Sequence, residues 1–285
     1  MYSLLYLVPK NWLSRSVGWA VRRRWPFGLH RSIRDSFICH FNVDISESEH
    51  AVETYPTLGE FFIRRLRPET RPIGKTDLVS PVDGMLTQRG FFETVAANPL
   101  LTQIKGIQYS LQDFTGEGWD ISGYGGGAFL TVYLAPWNYH RIHSPVNGRV
   151  LRARHLAGAL WPVNQWSVEK IPDLFVRNDR ILVEMECDLG NGKGRVLVAM
   201  VGATNVGRIT LSFPCGLMGN SLSAGGIRDW QPSEELILNK GSELGCFEMG
   251  STVVLVVDAL LASKLKRDLR GTEPVPLRYG ADLLS

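Results

Sequence analysis

Three short segments of the 285-residue chain carry side chains able to do chemistry. Residues 80–84, SPVDG, place the carboxylate of Asp83 in Pro/Gly surroundings that, read alone, mark an ordinary turn. Residues 135–148, APWNYHRIHSPVNG, hold His140 and His143, two of only six histidines. Histidines three apart in a loop can serve as a base or proton shuttle, as turn hydrogen-bonders, or as a ligand pair. No third ligand follows at metal spacing, and the four-residue helical step with a glutamate is missing, so no metal is expected. Residues 247–257, FEMGSTVVLVV, put Gly250-Ser251 before a strongly apolar run. Alone that pair reads as a glycine turn into a buried strand. A serine hydroxyl there becomes a nucleophile only with a base beside it.

The elements that must position these residues are mostly strands. Stretches 129–134, 149–154, 181–187, 195–201, 207–213 and 252–257 are short, rich in Val, Ile, Leu or Thr, and bounded by Gly, Asn or Pro. Asn191-Gly192 predicts a hairpin between two of them. No helices of 10–15 residues alternate with the strands, which excludes a doubly wound parallel sheet. Thr57 and Glu60 form a capping box for a short helix through Phe61 and Phe62. The expected class is α+β: a mostly antiparallel β catalytic body behind amphipathic N-terminal helices.

Charge is distributed unevenly. Residues 1–34 carry seven basic side chains and no acid, whereas the remainder holds 24 basic and 28 acidic ones, so +7 stands on −4. Between residues 9 and 25, Leu13, Val17, Ala20 and Val21 share one helical face, flanked by Trp12, Trp19 and Trp25. Leu29, Ile33, Phe37 and Phe41 repeat at i+4 in a second stretch. Cationic, Trp-rich helices suit an anionic membrane surface, in plane; packing on the body is the plain alternative. With no stacking or base-reading module, nucleic acid is not an expected partner. The apolar run at 2–9 is far too short to span a bilayer, and as it precedes most of the positive charge with no small-x-small site after it, no secretory signal is expected. Four cysteines without C-x-x-C spacing suggest neither zinc nor a disulfide framework, and a reducing compartment. The division is a membrane-associating helical segment at 1–50 and a catalytic domain at 51–285.

Taken in order, the segments resemble one family. SPVDG, YHRIHSPVNG, LFVRNDR (174–180), VGATNVG (201–207) and MGST, preceded by TLGEFFIRRLRPETRPI (57–73), look like phosphatidylserine decarboxylase, over most of the chain. One departure is Met249, where the family commonly has Leu or Gly.

The resemblance implies a proenzyme that cuts itself at Gly250–Ser251 into a β chain of residues 1–250 and an α chain of 251–285. The Ser251 hydroxyl attacks the Gly250 carbonyl, giving an ester by an N→O shift. Elimination to dehydroalanine and loss of ammonia leave a pyruvoyl group, the covalent cofactor. The same resemblance makes Asp83 the orienting carboxylate and His143 the base, in the logic of a serine-protease triad. The pyruvoyl carbonyl then forms a Schiff base with the amine of phosphatidylserine and accepts the electrons released with CO2. His140 is the candidate proton donor. The implied place is peripheral, on the cytoplasmic side of a bacterial inner membrane, with oligomeric state left open. A cleavage-dead lipid-binding relative and a serine hydrolase using the same triad are the alternatives.

Overall fold

The structure, a computed structural model, describes residues 10–94, 98–103, 107–204, 208–220, 226–249 and 251–285, with Gln165 and Ser251 described by their backbone only. The apolar run at 2–9, Gly250 and the end of VGATNVG therefore lie outside the described residues.

The centre of the fold is β14 (Ser251–Val257), whose side chains from Thr252 to Val257 are all buried. An unbroken apolar run needs cover on both faces and partners on both edges. It has both: β4 (Ala128–Leu134) pairs along one edge and β8 (Lys193–Gly202) along the other. Beyond β8 follow β7 (Arg180–Asp188) and β6 (Gly148–Leu156), with β11 (Ile227–Trp230) and β12 (Ile237–Leu238) on the outer edge of β6. Beyond β4 come β1 (Gly84–Phe91) and β15 (Val275–Leu277). A smaller sheet runs β10 (Met218–Gly219), β9 (Ile209–Leu211), β13 (Glu243–Phe247) and β5 (Arg141–His143). A two-stranded ladder joins β2 (Leu100–Thr102) to β3 (Gln108–Ser110). Every one of these pairings is antiparallel, so the class is α+β with helices at the N-terminus.

Two local expectations change in detail. The hairpin between β7 and β8 forms, but its turn spans 189–192, closed by Leu189 N–H to the Gly192 carbonyl. Gly190 takes the left-handed conformation there, so Asn191-Gly192 is not a two-residue turn. The stretch at 207–213 narrows to the three residues of β9.

The N-terminal helices span Lys10–Val21 and Leu29–Phe41. The first does not bury the Leu13–Val21 stripe. Ser14 and Gly18 face the body instead, since small side chains let the helix approach closely. Asn11 donates to the Gly158 carbonyl (2.9 Å), Arg15 to that of Asn220 (3.3 Å), and Lys10 lies over the Trp161 ring. Trp12 is left 66% and Trp19 49% exposed, and Phe27, at the corner between the helices, is fully exposed. The second helix packs Ile33, Phe37 and Phe41 on a separate small cluster of Val43, Val52, Leu58 and Phe61. Among the described residues no helix is long and apolar enough to cross a membrane.

Candidate active site

Strand register brings the three segments together. Ser251 opens β14 with its backbone between Leu134, the last residue of β4, and Gly202, the last of β8. The Asn178 side chain, from LFVRNDR, donates to the Gly202 carbonyl (2.8 Å) and so fixes that strand end. The chain leaving β4 runs through His140 into β5, which pairs with β13, the strand leading back to Ser251. Phe247 N–H donates to the His140 carbonyl (3.0 Å) across that pairing. The histidine loop and the Gly250-Ser251 link are thus the two strand exits of one corner.

SPVDG is held to the same corner by an internal pseudo-symmetry. Residues 80–84 and 144–148 are SPVDG and SPVNG, and each Ser hydroxyl donates to the carbonyl two residues on (2.8 and 2.7 Å). Val79 N–H bonds the Pro145 carbonyl and His143 N–H the Pro81 carbonyl, both at 2.9 Å. Asp83 accepts from Tyr279 N–H as Asn147 accepts from Lys240 N–H, each at 2.8 Å. Gly280 and Gly241 follow at φ +83° and +82°, where a Cβ would strike Ile73. The motif spacing that reads as two unrelated turns is one cradle used twice.

Within the cradle the ionisable groups sort clearly. Asp83 is bound by Arg71, whose Nη2 lies 2.6 Å from Oδ2, and Arg71 also binds Glu47 (2.7 Å). With Tyr279 N–H on Oδ1, the Asp83 carboxylate is fully engaged. It makes no hydrogen bond to His143. That ring is oriented by three other contacts. Nδ1 meets the Gly241 carbonyl at 2.7 Å, Nε2 meets the Tyr139 hydroxyl at 3.0 Å, and Tyr279 stacks on the ring at 3.9 Å and 7°. A carbonyl only accepts, so the proton sits on Nδ1 and Nε2 is the acceptor. Burial holds His143 below the usual histidine range, which keeps it neutral and able to act as a base. Asp83 reaches it indirectly, by anchoring the backbone of Tyr279.

His140 is completely buried against Phe62, ring centroids 4.1 Å apart. Its Nδ1 bonds the Asn138 carbonyl at 2.8 Å, and its Nε2 has no partner. Burial pushes its pKa down to about 3. Met249, just before the Gly250–Ser251 link, has φ +116°, a region a residue with a Cβ rarely enters. Such backbone stores about 1–3 kcal/mol.

A family model for phosphatidylserine decarboxylase matches residues 58–280. The chain is 38% identical over 283 residues to a phosphatidylserine decarboxylase proenzyme of Anaeromyxobacter sp. (strain K), covering 99% of this chain and 96% of that one. It is 36% identical to a proenzyme of the same name from Myxococcus xanthus (90% and 88% covered), and 35% to one from Brevibacillus brevis (90% and 88%). The chain belongs to the phosphatidylserine decarboxylase family.

It is accordingly a decarboxylase, a carbon–carbon lyase. Membership gives the residues missed by sequence reasoning a place. The 57–73 segment, read from sequence as a capped short helix and a likeness to the family, supplies Phe62 under His140, Arg71 on Asp83, and Ile63, whose carbonyl takes Arg141 Nε at 2.8 Å. Of its expected capping box the N-cap half forms, the Thr57 hydroxyl accepting from Glu60 N–H. Nothing in the spacing of Tyr139 and Tyr279 shows that Tyr279 stacks on His143 while Tyr139 reaches its Nε2, the two tyrosine rings themselves meeting at 5.5 Å.

Proposed function

We propose that the chain is a self-cleaving proenzyme that decarboxylates phosphatidylserine to phosphatidylethanolamine at a membrane surface. The observation that carries it is the convergence of the histidine loop and the Asp83 cradle on the strand end that begins at Ser251. His143, neutral with its Nε2 as acceptor, is the base for the Ser251 hydroxyl once the Tyr139 hydroxyl now on Nε2 gives way, and the serine oxygen attacks the Gly250 carbonyl. The peptide nitrogen leaves as the ester forms; elimination of the ester then yields dehydroalanine and a free carboxylate on Gly250, and hydrolysis releases ammonia. Strain at Met249 raises the ground state beside the bond that breaks.

The residues fit a ketone at position 251. That position is pinned by strands on both sides, and the loop leaving β4 beside it carries a buried Nε2 on His140 with no partner among the described residues. A pyruvoyl group there supplies an electron-poor carbonyl that binds the substrate amine and takes up the electron pair left by CO2. His140 enters as a neutral ring with a vacant acceptor, so it must take a proton before it gives one.

A lipid substrate calls for attachment to the bilayer. Exposed Trp12, Leu13, Trp19, Phe27 and Leu29 alternate with the exposed Arg22, Arg23, Arg24 and Arg31, the composition of an in-plane anchor. We place the protein peripherally on anionic lipid, on the cytoplasmic side of a bacterial inner membrane.

Intact mass of the purified protein tests the central claim. Two chains are expected, a long one ending at Gly250 and a blocked one of about 35 residues starting at 251, the cut position being that implied by the family. Ser251→Ala should remain a single inactive chain. A wild type that stays uncut, or a Ser251→Ala variant that still releases CO2, overturns it.

A further inference from the structure

Arg64 is a buried cation without an anion. It is 4% exposed, and no carboxylate among the described residues lies within ion-pair distance. Its Nε is buried with no hydrogen-bond partner, and its one side-chain bond is a long one, Nη2 to the Trp137 carbonyl at 3.4 Å. Behind it lies the Phe61 ring, 4.8 Å from Cζ. Removing a guanidinium from water without a partner is costly, and natural proteins rarely tolerate it without cause.

Arg64 lines a cleft of about 430 Å³, and so do the other charges that could have answered it. They are committed elsewhere. Asp83 and Glu47 both hold Arg71, and Asp44 accepts from the Ser46 N–H and hydroxyl at 2.9 and 2.6 Å. Arg278 stands 3.6 Å from Glu47. The cleft also takes in Ala135, Trp137 and Tyr139, the residues that follow Leu134, whose strand partner is Ser251. Arg64 is therefore a cation of this cleft without a carboxylate partner among the described residues, and the cleft borders the strand end that pairs with Ser251.

We propose that Arg64 binds the phosphate of the lipid headgroup; this rests on the function proposed above. The headgroup carries two anions, and chemistry separates them. The carboxylate loses its charge as CO2 departs, so a cation on it would stabilise the ground state more than the transition state. The phosphodiester keeps its charge throughout, a short two-carbon bridge from the reacting amine. A guanidinium fork suits phosphate oxygens, and holding a group that does not change gives binding without rate.

The test uses full-length, self-cleaved protein, short-chain phosphatidylserine, and three competitors: glycerophosphoethanolamine, free serine and inorganic phosphate. Arg64→Gln should raise KM about tenfold or more while kcat falls less than about threefold. It should also abolish competition and thermal protection by glycerophosphoethanolamine and leave competition by serine intact. Arg64→Lys should lie between. Loss of serine competition with glycerophosphoethanolamine retained would assign the carboxylate and overturn the proposal. So would inorganic phosphate competing as well as glycerophosphoethanolamine, or a cleaved Gln variant with unchanged KM. If the Gln variant fails to fold, the Lys variant decides, a wild-type KM overturning the proposal. A wild type that neither cleaves nor decarboxylates defeats the function reading itself, a separate result from any of these.

Discussion

At the residue scale, His143 and His140 show how one loop gives two imidazoles different surroundings. Both are held below the ordinary range by burial, His140 to about 3. A group that binds fewer protons folded than unfolded favours the folded state at high pH. Its contribution is complete above the unfolded value near 6.5 and is lost as pH falls toward the folded value. The proenzyme, studied as Ser251→Ala, should therefore lose stability from about pH 6 downward. His140 alone accounts for about 1 kcal/mol per pH unit, read from urea midpoints. His140→Phe should flatten that acid limb; an unchanged slope would show that His140 titrates freely. For the cleavage itself, His143→Gln should leave one uncut chain, since the acceptor nitrogen is gone. Tyr279→Ala should slow cleavage about tenfold without stopping it, because the stack orients the ring but takes no proton. Cleavage at the wild-type rate in Tyr279→Ala would remove the stack from the account.

At the element scale, the cradle built from 80–84 and 144–148 explains why residues far apart in sequence arrive together. Each copy is closed by a glycine in the left-handed region, Gly280 or Gly241, packed on Ile73. Gly241 also provides the carbonyl that fixes the His143 tautomer. Gly241→Ala meets Ile73 Cδ1 at 2.6 Å in a backbone that alanine avoids, so it should cost about 2 kcal/mol or more and slow cleavage. Wild-type stability in that variant would show that the turn can relax. Met249→Gly tests strain from the other direction. In the Ser251→Ala background it should add about 1 kcal/mol of stability, once glycine's extra unfolded freedom is subtracted. A loss of stability would show that the Met249 side chain contributes more by packing than its backbone costs.

At the scale of the whole molecule, the N-terminal helices connect the surface to the segment that leads into β14. The first helix lays Ser14 and Gly18 on the body and turns its tryptophans outward, and Arg22 at its end pairs with Glu248, two residues before Gly250. Replacing Trp12, Trp19 and Phe27 together by alanine removes exposed apolar surface and no internal contact of the large core. The triple variant should still cut itself, yet float much less with vesicles containing anionic lipid. Undiminished flotation would put the membrane contact elsewhere.

The order of the motifs was enough to identify the family, and alternation and turn residues were enough for an antiparallel α+β body, because both are local properties of the chain. The N-cap at Thr57 was legible for the same reason. Which face of the first helix is buried was not. Periodicity ranks faces by hydropathy, whereas close approach to the body selects the small residues Ser14 and Gly18. Nor could sequence show that Asp83 is held by Arg71 and reaches His143 only through Tyr279, or that Arg64 is left without an anion. Those are outcomes of competition among side chains brought together from residues 47 to 279, and only the folded arrangement decides which donor reaches which acceptor first.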